Sequence, residues 1–161
     1  MLLWGNIQLL LRQHVGAPCE PVVKAGDLVK KGTLVAKPTG LGANIFSSVY
    51  GVVEEIKEDR IVIRPDEEQP DEYEKIPEGT PLEMVKAAGV VGMGGAGFPT
   101  GIKLDAHLDH GYILINAAEC EPGLYHNIRQ IEQQSDKIVR GVKYCMDIAG
   151  ADKAILLLRR K

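Results

Sequence analysis

The stretch Gly92-Met-Gly-Gly-Ala-Gly-Phe-Pro-Thr-Gly-Ile-Lys103 is followed, after the uncharged run Tyr112-Ile-Leu-Ile115, by Asn116-Ala-Ala-Glu-Cys-Glu-Pro-Gly123. Five glycines within ten residues allow sharp turns and leave backbone N–H groups uncovered by any Cβ, open to a flat or anionic ligand. Lys103, just beyond them, supplies a point charge suited to a phosphate. The apolar run before Asn116 reads as a strand, so Asn116 falls at a carboxyl end, where open α/β sheets bind ligands. Together the two segments predict an α/β unit with a nucleotide or flavin crevice. Taken alone, Gly92-x-Gly94-x-x-Gly97 matches the dinucleotide fingerprint only loosely. Gly89-Val-Val before it is short for a strand, and Phe98-Pro99 stands where a helix should already be running. By itself the stretch also fits a glycine-rich turn kept for close packing. A Walker loop is excluded, because no Gly-Lys-Ser/Thr is present.

Downstream, residues 127–149 carry a helical pattern that places Ile138, Val142, Cys145 and Ala149 on one face, with an interruption expected near Ser135-Asp136. Gly150 stops that helix, and Lys153-Ala-Ile-Leu-Leu-Leu158, apolar after its lysine, is expected to follow as a buried strand. Strand, helix and strand make a βαβ unit with a parallel pair. A sheet that ends on a fresh strand without a covering helix is incomplete. The chain is therefore expected to be a piece of a longer protein, with residues 154–158 an apolar edge prone to self-association.

Upstream, Thr80 caps, Pro81 fits the first helical position and Glu83 closes a capping box, which predicts a helix to about Ala88 with Gly89 as its stop. A second, short helix is expected over residues 100–108. Residues 7–11, 21–23, 33–36, 49–56 and 61–63 are short apolar stretches separated by turn signals at Gly26-Asp27, Gly32, residues 38–42 and Glu58-Asp59. Spacings near ten residues suit a small barrel or sandwich. The acidic, proline-containing run that follows reads as a linker. The expected division is a β-rich domain over residues 1–70, a linker over 71–79 and an α/β domain over 80–161.

Glu119 and Glu121 flank Cys120 and face the same way if the chain there is extended, which would make a proton-handling or ligand-gating pair; the plainer alternative is a solvated loop. Asn116 offers both a donor and an acceptor, suited to the mixed edge of a flavin or base. His107-x-x-His110, with Cys120 and His126 beyond, lacks a zinc spacing, and the four histidines read as surface or loop residues, so no metal site is expected. Cys19 and Cys145 read as small apolar packing residues, and Cys120, between two carboxylates, is poorly placed as a nucleophile.

A net charge of −3 gives no electrostatic case for nucleic acid or an anionic membrane. The runs Lys30-Lys31 and Arg159-Arg160-Lys161 read as solvated ends of elements. No apolar run approaches the roughly 18 residues that span a bilayer. The start, Met-Leu-Leu-Trp-Gly-Asn, lacks a basic n-region, and three distant cysteines argue against a disulfide framework. The expectation is a reduced, cytoplasmic chain.

The glycine stretch resembles the flavin and NADH loop of the 51 kDa NADH-binding subunit of respiratory complex I, and residues 116–123 resemble that family's second flavin-site strand end. Leu11-Arg-Gln-His-Val-Gly-Ala-Pro18, residues 23–36 and Ser47-Ser-Val-Tyr-Gly-Val-Val53 are similar to the N-terminal region of RnfC, a subunit of the Rnf electron-transport complex, and to the related electron-transfer protein of clostridial proline reductase. The first half also looks like a biotinyl/lipoyl-type barrel-sandwich hybrid domain. Thr39-Gly-Leu-Gly-Ala-Asn44 stands where a modified lysine would be needed, so the domain is expected to be unmodified and structural.

The fold implied is α/β (α+β overall), a β-rich barrel-sandwich domain followed by part of an α/β flavin-binding domain. The resemblance implies FMN as cofactor, NADH as substrate, and contacts from Gly92, Gly94, Gly95, Ala96, Gly97, Phe98, Lys103, Asn116, Glu119 and Glu121, with Lys103 towards the ribityl or phosphate and Glu121 towards nicotinamide. It places 4Fe-4S clusters, a β-grasp domain and the rest of the flavin site beyond Lys161, and other electron-transfer subunits or a reductase as partners. It also implies a location at the inner face of the cell membrane through those subunits, with no membrane span of the chain's own. Three positions depart from the pattern: Ala118 replaces the family's acidic residue, and Met93 and Ala106 replace an arginine and an aromatic of the complex I branch. Those changes weigh more on NADH stacking than on flavin binding. The functions implied are an electron-transfer subunit passing electrons from NADH through FMN to iron–sulfur centres, delivery of electrons to proline reductase, or a docking module without cofactor. The isolated piece is expected to be inactive.

Overall fold

Strand β7 (Arg60–Pro65) organises the N-terminal half, because Ile61, Val62 and Ile63 are all buried and covered on both faces. In the computed structural model, which describes residues 5–93 and 95–158, β7 pairs antiparallel with β1 (Ile7–Leu10) on one side and β6 (Gly51–Ile56) on the other. β3 (Leu28–Val29) completes this sheet in the order β1-β7-β6-β3. A second antiparallel sheet holds β2 (Glu20–Pro21), β4 (Leu34–Lys37) and β5 (Ile45–Phe46) in the order β2-β4-β5. Val29, Val53, Ile61 and Ile63 of the first sheet form one cluster with Val35, Ala36 and Ile45 of the second, joined by Leu11 and Cys19. The core therefore lies between two sheets, as in a sandwich. The strands do not close into a barrel, which corrects the more barrel-like of the two expectations.

The capping box predicted at Thr80 forms. α1 (Pro81–Ala87) begins with the Glu83 N–H donating to the Thr80 hydroxyl oxygen at 3.3 Å and the Thr80 N–H donating to the Glu83 carboxylate at 2.8 Å. The Thr80 backbone N–H, then its hydroxyl, hold the Glu83 carboxyl below its ordinary range. α2 (Thr100–Leu104) is shorter than residues 100–108, since His107 takes a left-handed φ of 45° that no helix accommodates.

The chain divides into two compact units, residues 1–103 and 104–161. In the second, β8 (Gly111–Asn116) and β9 (Ala151–Leu157) pair in parallel, with Ile113 opposite Ala154 and Ile115 opposite Leu156. They are connected by α3 (His126–Ala149), which is broken by non-helical dihedrals at Gln134, one residue before the interruption expected at Ser135. The helix ends at Gly150, whose φ of 73° is the left-handed conformation that glycine adopts without a Cβ penalty. Tyr112, Leu114, Ile155 and Leu157 stay exposed along the two-stranded sheet.

Candidate functional site

The glycine stretch is delivered by the end of α1 and closes on itself. An isolated antiparallel bridge joins Val91 to Pro99, the Gly92 N–H donates to the Phe98 carbonyl at 2.9 Å, and the Thr100 N–H donates to the Val90 carbonyl at 2.8 Å. Between these ties runs a loop that is exposed at Gly92, Gly95 and Ala96, while Met93 is 94% exposed. Gly94 lies outside the described residues. Gly97 and Pro99 are buried and anchor the loop from below. Among the described residues, a Cβ placed on Gly95 would meet nothing within 4 Å, and one on Gly92 would make only ordinary contacts of 3.8 Å with Phe98. Packing within the unit thus does not require a glycine at position 95. The open space above it is a cradle that a side chain would fill, which fits a ligand with a flat face better than it fits a turn kept for close packing. The Lys103 ammonium lies 5.8 Å from the centre of the Phe98 ring, a cation–π distance that holds the charge beside the loop.

In the second unit, Asn116 is exposed at the end of β8 and its Oδ1 accepts the Ala118 N–H at 3.1 Å, making an Asx turn. The chain then bends at Cys120 and Glu121 rather than staying extended, so the condition for the two glutamates to face the same way is not met. Their surroundings differ. The Glu119 side chain is 7% exposed, while Glu121 is exposed. Glu119 accepts the backbone N–H groups of Asn127 at 2.8 Å and Ile128 at 3.3 Å, and the Asn127 amide at 3.2 Å. The Tyr125 side chain at the N-cap position makes no capping bond, so the Glu119 carboxylate satisfies the orphan donors of α3 instead, with His126 Nδ1 3.2 Å away. Glu119→Ala is expected to destabilise the second unit by about 0.5–2 kcal/mol, the range of a lost helix cap. Faster amide exchange at Asn127 and Ile128, with that of β8 little changed, is the signature; unaltered exchange there would remove the capping role.

The remaining candidates separate. Among the described residues no cluster of histidine, cysteine and carboxylate side chains has metal-holding geometry. His107 instead pairs with Asp105 at 2.8 Å and His110 with Asp152 at 2.7 Å. His14 departs from the surface expectation: it is buried and bonded on both ring nitrogens. Nothing in Gln13-His14-Val15-Gly16 sets a buried histidine apart from a solvated one, although a polar residue between the apolar strand β1 and the buried Cys19 is the available hint. Cys19 is buried, Cys145 half-buried and Cys120 exposed, and burial raises the thiol pKa of both Cys19 and Cys145. Under native conditions a maleimide is expected to label Cys120 first and Cys19 last. Mass-spectrometric time courses check this order, and labelling of Cys19 at the rate of Cys120 would contradict the packed core around it.

An exposed glycine loop next to a two-sheet β module is what the first unit presents, and comparison with known proteins finds matches over both stretches. Residues 1–69 match the family model of the RnfC barrel sandwich hybrid domain, and residues 85–161 match that of the Nuo51 FMN-binding domain. Taken together, the two matches cover most of the chain and give it a resemblance to RnfC. It is 40% identical over 91% of its length to the RnfC-type subunit of the proton-translocating ferredoxin:NAD(+) oxidoreductase complex of Clostridium ljungdahlii, covering 36% of that protein. It is 40% identical over 84% of its length to the RnfC-type subunit of the ion-translocating oxidoreductase complex of Rhodobacter capsulatus, covering 30% of it. It is also 37% identical over 89% of its length to the RnfC-type subunit of the Na(+)-translocating ferredoxin:NAD(+) oxidoreductase complex of Acetobacterium woodii, covering 37% of it. The chain spans roughly a third of the length of these relatives. Among the described residues no helix is long and apolar enough to cross a membrane.

Proposed function

We propose that this chain is the flavin-seating part of an electron-transfer subunit, in which FMN is reduced by NADH and passes electrons on towards iron–sulfur centres of the complete assembly. One observation carries the reading: the exposed backbone at Gly95 and Ala96 is raised on a buried anchor at Gly97, with open space where a side chain at 95 would stand. The match of residues 85–161 to an FMN-binding domain supports it. Gly92, Gly94, Gly95, Ala96, Gly97 and Phe98 would hold the flavin by close backbone approach, and Lys103 would bind its phosphate. FMN held there would supply the redox chemistry that links two-electron and one-electron carriers, while the protein would supply binding, orientation and electrostatics.

The chain's own residues set what the loop contributes. Bare N–H groups on an exposed loop present donors to an anionic or electron-rich edge, and the Phe98 ring keeps the Lys103 charge close by. In the second unit, Asn116 and Glu121 are proposed as exposed ligand contacts. Glu119 is proposed to act through the turn it holds against α3 rather than by offering a free carboxylate. Partner electron-transfer subunits, and an inner-membrane-face location through them, belong to the same proposal, since the relatives are named as subunits of ion-translocating complexes. FMN titration of the full-length protein and its loop variants tests the reading.

A further inference from the structure

We infer that His14, in the β module, is a positioning residue for the glycine loop. Gly97, the buried anchor of that loop, has a φ of 66°, and a Cβ built on it would stand 3.0 Å from His14 Cα, 3.2 Å from the Gln13 carbonyl oxygen and 3.3 Å from His14 Cβ. The loop therefore rests on the backbone of Gln13 and His14 with no room for an intervening atom.

That backbone belongs to no strand, and the His14 ring fixes it. The residue is 8% exposed. Nδ1 lies 3.0 Å from the Val15 carbonyl, and Nε2 lies 3.1 Å from the Ala43 nitrogen, 3.0 Å from the Ala43 oxygen and 3.3 Å from Cys19 Sγ. One arrangement of protons satisfies every group: Nδ1–H donates to Val15, Nε2 accepts the Ala43 N–H, and the Cys19 thiol donates to the Ala43 carbonyl at 3.3 Å. The imidazole thus ties together three irregular segments, at residues 13–15, 19 and 42–43. Space around it is filled, since a Cβ on Gly42 would stand 2.6 Å from His14 Cε1. The next residue, Asn44, donates its side-chain amide to the Ala87 carbonyl at 3.0 Å, at the end of the helix that delivers the loop. The same turn that grips His14 therefore also holds α1. Removing the ring leaves a buried Ala43 N–H without its acceptor and frees the platform beneath Gly97.

The inference deepens the flavin reading and rests on it for one of two readouts. In the full-length protein, amide exchange is measured at Gly92 and Thr100, whose N–H groups close the neck of the loop, with amides of β6 and β7 as the internal reference. FMN affinity is measured on the same samples by fluorescence quenching. His14→Ala is expected to speed exchange at Gly92 and Thr100 at least tenfold relative to β6 and β7, and to weaken FMN binding at least tenfold. His14→Gln, which restores an acceptor for the Ala43 N–H, is expected to recover most of both losses. Gly97→Ala leaves the His14 hydrogen bonds in place but presses a methyl onto the platform, and is expected to loosen the neck in the same way; it carries the test if His14→Ala fails to fold. Neck exchange unchanged in the alanine variants, a loosened neck with FMN affinity unaltered, or glutamine no better than alanine would each overturn the inference. Failure of the wild type to bind FMN would instead overturn the flavin reading, and neck exchange alone would then decide whether His14 holds the loop.

Discussion

Gly95→Val is expected to abolish FMN binding by the full-length protein while leaving its thermal unfolding unchanged. The expectation follows from a contrast between two glycines of the same loop. A Cβ at Gly97 would press on His14, so substitution there disturbs the protein itself, whereas a Cβ at Gly95 meets nothing within 4 Å among the described residues. A valine at 95 is thus accommodated by the unit and excluded only by whatever approaches from outside. Lys103→Ala is expected to be milder. A charge-assisted contact to phosphate contributes about 1.5–3 kcal/mol, or roughly ten- to a hundredfold in affinity. Its cation–π neighbour Phe98 is partly exposed, so little stability goes with it. The measurement is quenching of FMN fluorescence across a titration, paired with a melting curve. Equal binding by wild type and Gly95→Val would take the loop out of the site and favour a docking role for the chain.

Ile63→Ala is expected to cost the β module about 2–5 kcal/mol, the range for removing a large aliphatic side chain from a packed core. Ile63 is fully buried, lies opposite Ile7 and Val53 in the two neighbouring strands, and contacts the cluster shared by both sheets. Against a typical domain stability of about 5–15 kcal/mol, that loss is a large share. Leu28→Ala is the matched control, because Leu28 is 80% exposed, and its effect is expected to stay within about 0.5 kcal/mol. The two are compared by exchange of the Val53 and Leu11 amides, which bond to the Asp27 and Asp59 carbonyls. At about 1.4 kcal/mol per factor of ten, Ile63→Ala accelerates them roughly thirtyfold or more. Similar rates in both variants would show that the sandwich core is not where the structure puts it.

Elements with a local chemical signature were legible in the amino-acid sequence. Thr80, Pro81 and Glu83 spell a capping box whose geometry depends only on near neighbours, and it forms. The break in α3 was visible because Ser135 and Asp136 favour caps over helix interiors, and the dihedrals depart at Gln134. The parallel pair was legible from two apolar runs flanking a helix. β3 and β5 were not, because two-residue strands are too short to show alternation. The end of α2 is not legible either, because nothing in the sequence marks His107 for a left-handed conformation. At the candidate site, the glycine loop announced itself by composition, while the duties of Glu119 and His14 did not. Each depends on a partner distant in sequence, the start of α3 in one case and Ala43 in the other.

The pairing of β1 with β7 has a consequence for biosynthesis. Ile7 lies opposite Ile63, so the first strand of the module to leave the ribosome finds its neighbour only when the last strand arrives. At about 5–20 residues per second, an unpaired apolar segment waits several seconds in the nascent chain. Ile7 and Leu9, which pack against the core once the sheet has formed, spend that interval uncovered. A chain truncated before residue 60 would leave β1 without this partner strand altogether.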